Sequence, residues 1–320
     1  MDLDFQKIFM VEKILVTGAN GYLGKKLIEE LSDNHIYALV RSQKAYLNLT
    51  NFIQDRSIKN VDVFNLDYSD LSGIRRKIGS CRYVVHLVGI IKETRANSFD
   101  LVHKQATQEL IKALKSTNVE KIYYLSILGA NKDSTNKCFA SRAHSEKILL
   151  DSDIPSLILQ IPMVLGEDDY ASKALRKNAL SKFNFTFRKK SMEQPIYAGD
   201  VVQVINKDIN KHVSGKATST GVIVLAGKVS LTREDLIKKA AEILGVKVKV
   251  FSLPIALGIA LAWILEKLFD DPPVTRAMLG VLDHDDNVDL KQTCKQLDIQ
   301  LTSLEDLLKT ILTSNDYYTH

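Results

Sequence analysis

Cysteine is scarce in this sequence, and its distribution argues against two common kinds of site. The 320 residues include only three cysteines, Cys81, Cys138 and Cys294, which lie far apart and form no CxxC pair. An odd number of widely spaced cysteines does not predict a disulfide framework, and without a cysteine–histidine cluster a metal site is not expected. We therefore expect reduced thiols and a cytoplasmic location.

Charge blocks and a leader-like apolar segment are also missing. The first residues, MDLDFQKIFMVEK, include acidic side chains and no long apolar core, so they do not predict a secretory signal. The net charge of +5 comes from 43 basic and 38 acidic residues spread along the chain. This diffuse charge comes without a zinc-finger or RNA-recognition signature, so we do not expect a nucleic-acid partner.

What the sequence does contain is an alternation of strand-like and helix-like segments. Apolar runs occupy residues 13–17, 36–40, 61–66, 83–90, 121–127 and 156–165, with helical spacing between them at 69–77, 99–116 and 141–152. Strands that alternate with helices predict a doubly wound parallel sheet, an α/β fold of the Rossmann type, over residues 12–165. From residue 166 to 320 the pattern mixes strands and helices less regularly, and it predicts a smaller α+β lobe interleaved with the first domain.

A glycine-rich turn follows the first strand. In GANGYLG, the glycines Gly18, Gly21 and Gly24 lie between a strand and a helix. A dinucleotide requires a tight turn there, close approach of the backbone to its pyrophosphate, and free N–H groups at the helix N-terminus. The predicted cofactor contacts in this turn are Gly18, Asn20, Gly21, Tyr22, Leu23 and Gly24. The alternative is a glycine-rich turn that binds no ligand.

The end of the second strand bears on the choice between NAD(H) and NADP(H). An acidic residue there would bind the ribose 2′-hydroxyl of NAD, whereas arginine suits the 2′-phosphate of NADP. The sequence reads ALVRSQK, which puts Arg41 and Ser42 at this position with Lys44 beside them. NADP(H) is therefore favoured, with NAD(H) still open, and a solvated basic turn is the alternative.

Other polar and small residues end neighbouring strands of the predicted sheet. Ligands of such sheets bind outside the carboxyl ends of the strands, so these residues are expected to cluster around the cofactor. They are Asp67 and Tyr68 after the third strand, Leu87, Val88 and Gly89 after the fourth, and Ser126 at the end of the fifth.

Together these motifs resemble a known family. TGANGYLG, ALVRS, NLDYSD, HLVGIIKE, YYLSILGA, VLGEDD, QPIYAGDV and GKVSLTREDLI resemble extended and atypical short-chain dehydrogenases/reductases of the epimerase/dehydratase and NmrA-like kind. The resemblance is strong to the atypical branch that includes the NADPH-binding accessory subunit of mitochondrial complex I and its bacterial relatives. It implies a Rossmann-type fold, NAD(P) binding and oxidoreductase or epimerase ancestry.

The catalytic pair of that family is not found in the expected helix. The family pattern YxxxK puts a tyrosine and a lysine one turn apart, where lysine lowers the pKa of the tyrosine for proton transfer. Aligned with CFASRAHSEK, the pattern puts Cys138 at the tyrosine and Arg142 at the lysine. Arg142 could still hold the nicotinamide ribose, and Cys138, Arg142 and His103 are the candidate catalytic residues.

Two functions follow from this pattern. The first is an NADP(H)-stabilised structural or assembly factor, with a respiratory complex as the partner that the resemblance implies. The second is an active NADPH-dependent reductase, or a nucleotide-sugar epimerase or dehydratase, with a non-standard proton donor.

A late apolar segment predicts a further contact surface. Residues 250–265 carry no charged side chain, yet this run is shorter than the roughly 20 residues of a spanning helix. A helix packed on the C-terminal lobe is one interpretation. The other is an apolar face for a membrane surface or a partner subunit, which would place the protein at the periphery of the inner membrane.

Overall fold

The computed structural model describes residues 11–67, 70–115 and 117–313. Its larger strands are β1 (Lys13–Thr17), β2 (His35–Val40), β3 (Val61–Asn65), β4 (Tyr83–His86), β5 (Lys121–Ile127), β6 (Ser156–Ile161), β8 (Phe183–Phe187), β11 (Gly221–Val224) and β13 (Lys249–Leu253). Two-residue strands are β7 (Val164–Leu165), β9 (Met192–Glu193), β10 (Ile196–Tyr197) and β12 (Leu231–Thr232).

Helices separate most of these strands. The first six are α1 (Tyr22–Glu30), α2 (Gln43–Asp55), α3 (Leu71–Ile78), α4 (Ala106–Leu114, preceded by a π-helical segment, Asp100–Gln105), α5 (Lys137–Leu150) and α6 (Tyr170–Leu180). The remainder are α7 (Ala198–Val213), α8 (Arg233–Ile243), α9 (Ile255–Leu268), α10 (Arg276–Leu282), α11 (Lys291–Leu297) and α12 (Leu304–Thr313).

The main sheet of the described residues has seven strands in the order β11-β6-β5-β4-β1-β2-β3. Every neighbouring pair in it is parallel, from Lys13 opposite His35 in β1–β2 to Gly221 opposite Leu157 in β6–β11. Parallel strands need crossover connections, and helices supply them. The predicted Rossmann-type α/β fold is confirmed. The strand order reverses between β1 and β4, which is where sheets of this kind bind ligands.

Alternating side chains of the strands are buried in two apolar layers, one on each face of the sheet. Ile14 and Val16 of β1 are fully buried in one layer, whereas Leu15 between them is fully buried in the other. A strand that is apolar on both faces fits only in the middle of a sheet covered by helices on each side. This packing fixes β1 and therefore the turn that follows it.

The second half of the chain both extends the main sheet and builds a separate apolar cluster. Strand β11 adds to the edge of the sheet beside β6. Short two-stranded sheets pair β10 with β7, β12 with β9 and β13 with β8. Leu236 and Ile237 of α8 pack with Leu308 and Ile311 of α12 in a cluster of their own.

A buried ion pair joins the strand and the helix that belong to the two halves of the sequence. Lys121 of β5 lies 2.5 Å from the Asp208 carboxylate of α7, and only 1% of the Lys121 side chain and 7% of the Asp208 side chain are exposed. Tyr123 donates a hydrogen bond of 2.9 Å to the same carboxylate oxygen, and the Ser219 backbone N–H donates to the other oxygen. Buried charges require such complete pairing.

Candidate functional site

The glycine turn lies at the reversal point of the sheet, between β1 and α1. Gly18 has φ +69°, and a Cβ built there would lie 3.0 Å from the Leu87 carbonyl carbon and 3.1 Å from the Val88 nitrogen. Gly18 is therefore held in a left-handed conformation with the end of β4 directly against it. Only glycine meets both conditions without moving the backbone.

The other two glycines bring helix α1 close to the turn. A Cβ on Gly24 would lie 2.5 Å from the Ala19 carbonyl oxygen, so α1 packs on the turn more closely than any side chain permits. Gly21 is the N-cap of α1 and has no side chain with which to cap it. The first-turn N–H groups, those of Tyr22 and Leu23 among them, are the donors that helix N-termini offer to anions.

A buried polar atom in the turn has no partner. The Asn20 Oδ1 atom is buried and makes no hydrogen bond to the part of the chain that the structure describes. Unpaired buried acceptors are costly, and a hydroxyl or amide of a ligand would satisfy this one. The residues of the turn thus fit a dinucleotide: a close-packed glycine backbone, an uncapped helix N-terminus and an unpaired Asn20.

Basic and capping residues follow β2 on the same edge of the sheet. Arg41 is exposed, and its Nη2 donates a hydrogen bond of 3.0 Å to Asn97 Oδ1. The Ser42 hydroxyl accepts from the Ala45 N–H at 3.2 Å and so caps α2. An arginine beside a helix N-terminus is an arrangement that can bind an anion.

Of the residues predicted to contact the cofactor after β3 and β4, those after β4 pack against β1, whereas Asp67 after β3 is exposed. The Leu87 N–H donates to the Thr17 carbonyl at 3.1 Å, which continues the β1–β4 pairing beyond the strands, and Val88 is buried beside it. Asp67 is exposed after β3. Tyr68, predicted as a contact for the adenine, lies outside the described residues.

Arg142 occupies the ends of the two central strands. Its Nη1 donates to the Val88 carbonyl at 3.2 Å, the Leu125 carbonyl at 3.0 Å and the Tyr124 hydroxyl at 3.1 Å. A Cβ on Gly89 would lie 1.8 Å from Arg142 Nη2, so the guanidinium occupies the space that a side chain at this position would need. Arg142 is thus engaged by the backbone at the place predicted for the nicotinamide ribose.

The thiol of Cys138 is buried one turn earlier on α5. The residue is 1% exposed, and the nearest acceptor of its Sγ is the Ile90 carbonyl oxygen at 3.9 Å. Burial raises the pKa of the Cys138 thiol, and the nearby Arg142 cation offsets this only in part. The thiol is therefore protonated at neutral pH and shielded from water, which is a poor arrangement for proton exchange.

His103 is a buried histidine with both ring nitrogens engaged. Its Nε2 accepts the Ile90 N–H at 3.0 Å, and its Nδ1 lies 2.7 Å from the Ser141 hydroxyl. Burial and the nearby Arg142 cation lower the pKa of His103 to about 2, so the ring stays neutral. These contacts disfavour the predicted catalytic role; they make His103 the residue that fixes the backbone after β4 against α5.

Ser126 points into the protein, toward α5. Its hydroxyl donates to Glu146, and the Gln160 amide donates to the two oxygens of the same carboxylate at 2.9 and 3.1 Å. Burial raises the pKa of Glu146, and the two hydrogen bonds lower it in part. The side chain of Ser126 is therefore engaged by Glu146 rather than turned outward to a cofactor, and the sequence analysis did not identify Glu146.

An acidic residue after β7 accepts three hydrogen bonds, from donors on two elements. Glu167 accepts hydrogen bonds from Tyr22 and Lys26 of α1, both at 2.9 Å, and from Tyr197 of β10. Burial alone would raise the pKa of Glu167, but the hydrogen bonds from Tyr197 and Lys26 lower it to about 2. The predicted cofactor residue Tyr22 thus contributes its backbone to the turn, whereas its side chain joins the C-terminal half to the turn.

Two clefts open beside this edge of the sheet. One has a volume of about 360 Å³ and contains Gly89, Lys92, Asn97 and Arg142 in its wall. The other, of about 650 Å³, lies between the chain that follows β4 and the segment from α9 to α10, and its charged wall residues are Glu93, Arg95, Lys137, Glu266, Asp270 and Arg276. Both clefts include Thr94, so the larger one adjoins the region of Arg142 and is the candidate substrate cleft.

Metal chemistry was not expected from the sequence. Within residues 11–67, 70–115 and 117–313, no group of three or more histidine, cysteine, aspartate or glutamate side chains is arranged to hold a metal ion.

Comparison with known proteins agrees with this geometry. Residues 14–137 match the model of the NAD dependent epimerase/dehydratase family. The chain is 22% identical over 206 residues to NADH dehydrogenase [ubiquinone] 1 alpha subcomplex subunit 9 of Mus musculus, which aligns 63% of this chain with 54% of that protein. It is 23% identical over 234 residues to dTDP-4-dehydrorhamnose reductase of Aggregatibacter actinomycetemcomitans, covering 70% of this chain and 76% of the reductase.

A solved structure extends the similarity to nearly the whole chain. UDP-glucuronic acid 4-epimerase from Bacillus cereus, in complex with UDP-glucuronic acid and NAD, superposes with a TM-score of 0.69 at 20% identity, covering 94% of this chain and 98% of the epimerase. The predicted resemblance is confirmed: the fold is that of NAD-dependent epimerases and dehydratases, and the relatives include respiratory-complex subunits and reductases. The chain spans about half the length of the NADH dehydrogenase subunits it matches.

Proposed function

We propose that this protein binds a nicotinamide dinucleotide, NADP(H) in preference to NAD(H), and uses it as a structural ligand. The glycine turn, with Gly18 against the backbone of Leu87 and with the unpaired Asn20, supports binding of the pyrophosphate and ribose. Arg41 and the N-terminus of α2 support recognition of a 2′-phosphate.

The structural role is supported chiefly by the burial of the Cys138 thiol and by the hydrogen bonds that hold the Arg142 guanidinium. A bound NADP(H) would supply a hydride, but a carbonyl that accepts a hydride also needs a proton. The Cys138 thiol is buried with a raised pKa. The Arg142 guanidinium offers hydrogen-bond donors and no acceptor, and it is bound to the ends of β4 and β5. Neither side chain is suited to the proton transfer that a tyrosine–lysine pair performs.

The same Arg142 contacts support a role as an organiser of the cofactor site. By joining the Val88 and Leu125 carbonyls, the guanidinium sets the spacing of the strand ends that a bound ribose would contact. A nucleotide held there would tie together β1, β2, β4 and β5, and binding to the folded state alone stabilises a protein by mass action. The proposed role is therefore that of a cofactor-stabilised partner protein in the cytoplasm.

The second candidate function is an active reductase or nucleotide-sugar epimerase or dehydratase. The charged cleft of about 650 Å³ next to the region of Arg142 supports it, because a pure scaffold has no need of such a cleft. The names of the relatives support both candidates, since they include a reductase and subunits of NADH dehydrogenase. A respiratory complex is accordingly the partner we propose for the structural role.

A cofactor-oxidation assay separates the two candidates. We expect calorimetry to detect NADPH binding and absorbance at the nicotinamide band to remain constant with carbonyls and quinones. An epimerase or dehydratase returns its hydride and leaves that absorbance unchanged, so nucleotide sugars incubated with the protein and oxidised cofactor are analysed by chromatography, and we expect to recover them unaltered. We also expect Cys138→Ala to change the NADPH affinity by no more than about twofold, because the thiol is buried and lines neither of the two clefts. Cys81→Ala serves as the matched control, since Cys81 is also a buried free cysteine. Turnover by the wild type that is lost in Cys138→Ala and kept in Cys81→Ala would establish the second candidate instead.

Cofactor preference is tested at Arg41. Arg41→Ala is expected to weaken NADPH binding by roughly tenfold or more and to leave NADH binding unchanged, because only the 2′-phosphate loses a charge-assisted hydrogen bond. Arg56→Ala is the control, as Arg56 lies at the opposite end of α2. Equal losses for NADPH and NADH, or tighter binding of NADH by the wild type, would contradict the proposed preference for NADP(H).

A further inference from the structure

Helix α9 is apolar on its outward side as well as on its inward side. Gly258 and Ala262 are buried against the protein, and a Cβ on Gly258 would lie 2.8 Å from the Phe187 ring. The large apolar side chains that α9 exposes are Leu257, Ile259, Leu261, Trp263, Ile264 and Leu268, each at least 43% exposed. Surface helices of soluble proteins place polar residues at such positions, so this outward side requires an apolar environment.

The strand pair β8–β13 exposes three aromatic rings. Phe183 and Phe185 of β8 and Phe251 of β13 are 52%, 63% and 43% exposed, whereas Asn184 and Val250 are buried. Alternate side chains of a strand point to opposite faces, so the three rings share the outward face. The Phe185 and Phe251 rings are stacked with centroids 5.3 Å apart.

The helix and the strand pair form one continuous surface. In the parallel register, Phe185 is opposite Phe251 and Phe187 is opposite Leu253, on the same face. Because α9 packs on Phe187 through Gly258, the row of aromatic rings leads directly to the helix. We call this surface the outer apolar face; it consists of Phe183, Phe185, Phe251 and the exposed apolar side chains of α9.

Lysines stand at both ends of the outer apolar face. Lys182 and Lys249 lie beside Phe183: the Lys182 Nζ is 5.7 Å from its ring centroid, and Lys249 is opposite Phe183 in the register. At the other end, the Lys267 Nζ lies 3.8 Å above the Trp263 ring. These lysines form no salt bridge with the described residues, whereas the acids nearest to Lys267 are paired: Glu266 with Arg276, Asp270 with Arg95 and Asp271 with Lys92.

This composition suits a lipid surface better than a protein partner. The lysines at the two ends have no salt-bridge partner among the described residues, and with their stems along apolar side chains they can reach anionic headgroups. Tryptophan is enriched at the same depth of a bilayer. No helix of residues 11–67, 70–115 and 117–313 could span a membrane. Helix α9 has 14 residues, fewer than the roughly 20 that cross a bilayer.

We propose that the outer apolar face docks the protein on the surface of a bilayer that contains anionic phospholipids. In this arrangement α9 lies parallel to the membrane, with its apolar side chains and the three phenylalanine rings among the acyl chains and glycerol groups. The lysines at its two ends contact lipid phosphates. This inference does not depend on whether the nucleotide site is occupied.

Vesicle co-sedimentation of the full chain tests the proposal. We expect binding to vesicles of phosphatidylcholine with about 30% phosphatidylglycerol, and weaker binding to phosphatidylcholine alone or at high salt. Leu261→Glu is expected to weaken binding by roughly tenfold or more, because an apolar side chain that enters the acyl chains is replaced by a charged one. Leu47→Glu is the matched control on α2, since Leu47 is 53% and Leu261 54% exposed.

A second pair of measurements separates lipid from protein occupants. Lys182→Gln, Lys249→Gln and Lys267→Gln combined should abolish the preference for anionic vesicles while the melting temperature stays unchanged. Light scattering of the lipid-free protein should give a monomer mass. The proposal is overturned if the wild type does not bind anionic vesicles, or if Leu47→Glu and Leu261→Glu weaken binding equally. It is also overturned if the wild type is a dimer that Leu261→Glu dissociates, because that result would identify a second copy of this chain as the occupant.

Discussion

Gly18→Ala is expected to reduce the affinity for NADPH by about 100-fold or more. The new methyl group would lie 3.0 Å from the Leu87 carbonyl carbon, which is tighter than nearly all contacts of a Cβ atom in folded proteins. The end of β1 would have to move away from β4, and the turn would no longer hold its N–H groups where the phosphates bind. Several charge-assisted hydrogen bonds would weaken together, which is why the expected loss is large.

A second glycine separates this effect from backbone strain. Gly215 has φ +68°, almost the same as the +69° of Gly18, but a Cβ on Gly215 would meet nothing within 4 Å. Both alanine variants should lose about 1–2 kcal/mol of unfolding free energy from the left-handed conformation. Only Gly18→Ala should lose the nucleotide, as measured by isothermal titration with thermal melts in parallel. Wild-type affinity in Gly18→Ala would refute the assignment of the turn as a phosphate site.

The sequence predicted the elements whose signals are local. The spacing of Gly18, Gly21 and Gly24 between a strand and a helix was sufficient to locate the turn. Each of these glycines lies where a Cβ would be in close contact with neighbouring backbone atoms, and that requirement is visible in the sequence as a glycine. The alternation of apolar runs was sufficient for the parallel sheet, since crossover connections leave few other topologies. Cys138 and Arg142 were also correctly placed one turn apart on a single helix, because helical periodicity does not depend on the remainder of the fold.

The contacts between distant segments could not be predicted in the same way. No pattern around Glu167 indicated a distant partner, yet this carboxylate accepts hydrogen bonds from Tyr22, 145 residues earlier in the chain, and from Tyr197. Ser126 ends its strand as expected, but the direction of its side chain depends on Glu146 of the helix packed above it. Such pairings depend on which elements the fold brings together, and the sequence of one segment alone does not predict its partner in another.

The same reasoning applies to Lys121, whose partner lies in the other half of the sequence. Asp208→Ala is expected to reduce the free energy of unfolding by about 3–5 kcal/mol, because it leaves the ammonium of Lys121 buried without a counter-charge. The Tyr123 hydroxyl and the Ser219 N–H would lose their acceptors as well. Urea denaturation followed by circular dichroism would measure the loss, with Asp151→Ala as the control: its partner Lys147 is 69% exposed, so a change below about 1 kcal/mol is expected.

A double substitution determines whether charge burial is the cause. Lys121→Met combined with Asp208→Leu removes both charges and keeps the volume, and it should recover most of the lost stability. If the double variant is as unstable as Asp208→Ala, then the lost hydrogen bonds of Tyr123 and Ser219, and not the buried ammonium, account for the loss of stability.

Helix α7 begins at Ala198, directly after Tyr197, and Tyr197 and Tyr22 of the glycine turn both donate hydrogen bonds to Glu167. Because the ion pair holds α7 against β5, loosening it should also weaken NADPH binding in Asp208→Ala, and the charge-free double variant should restore that binding together with the fold.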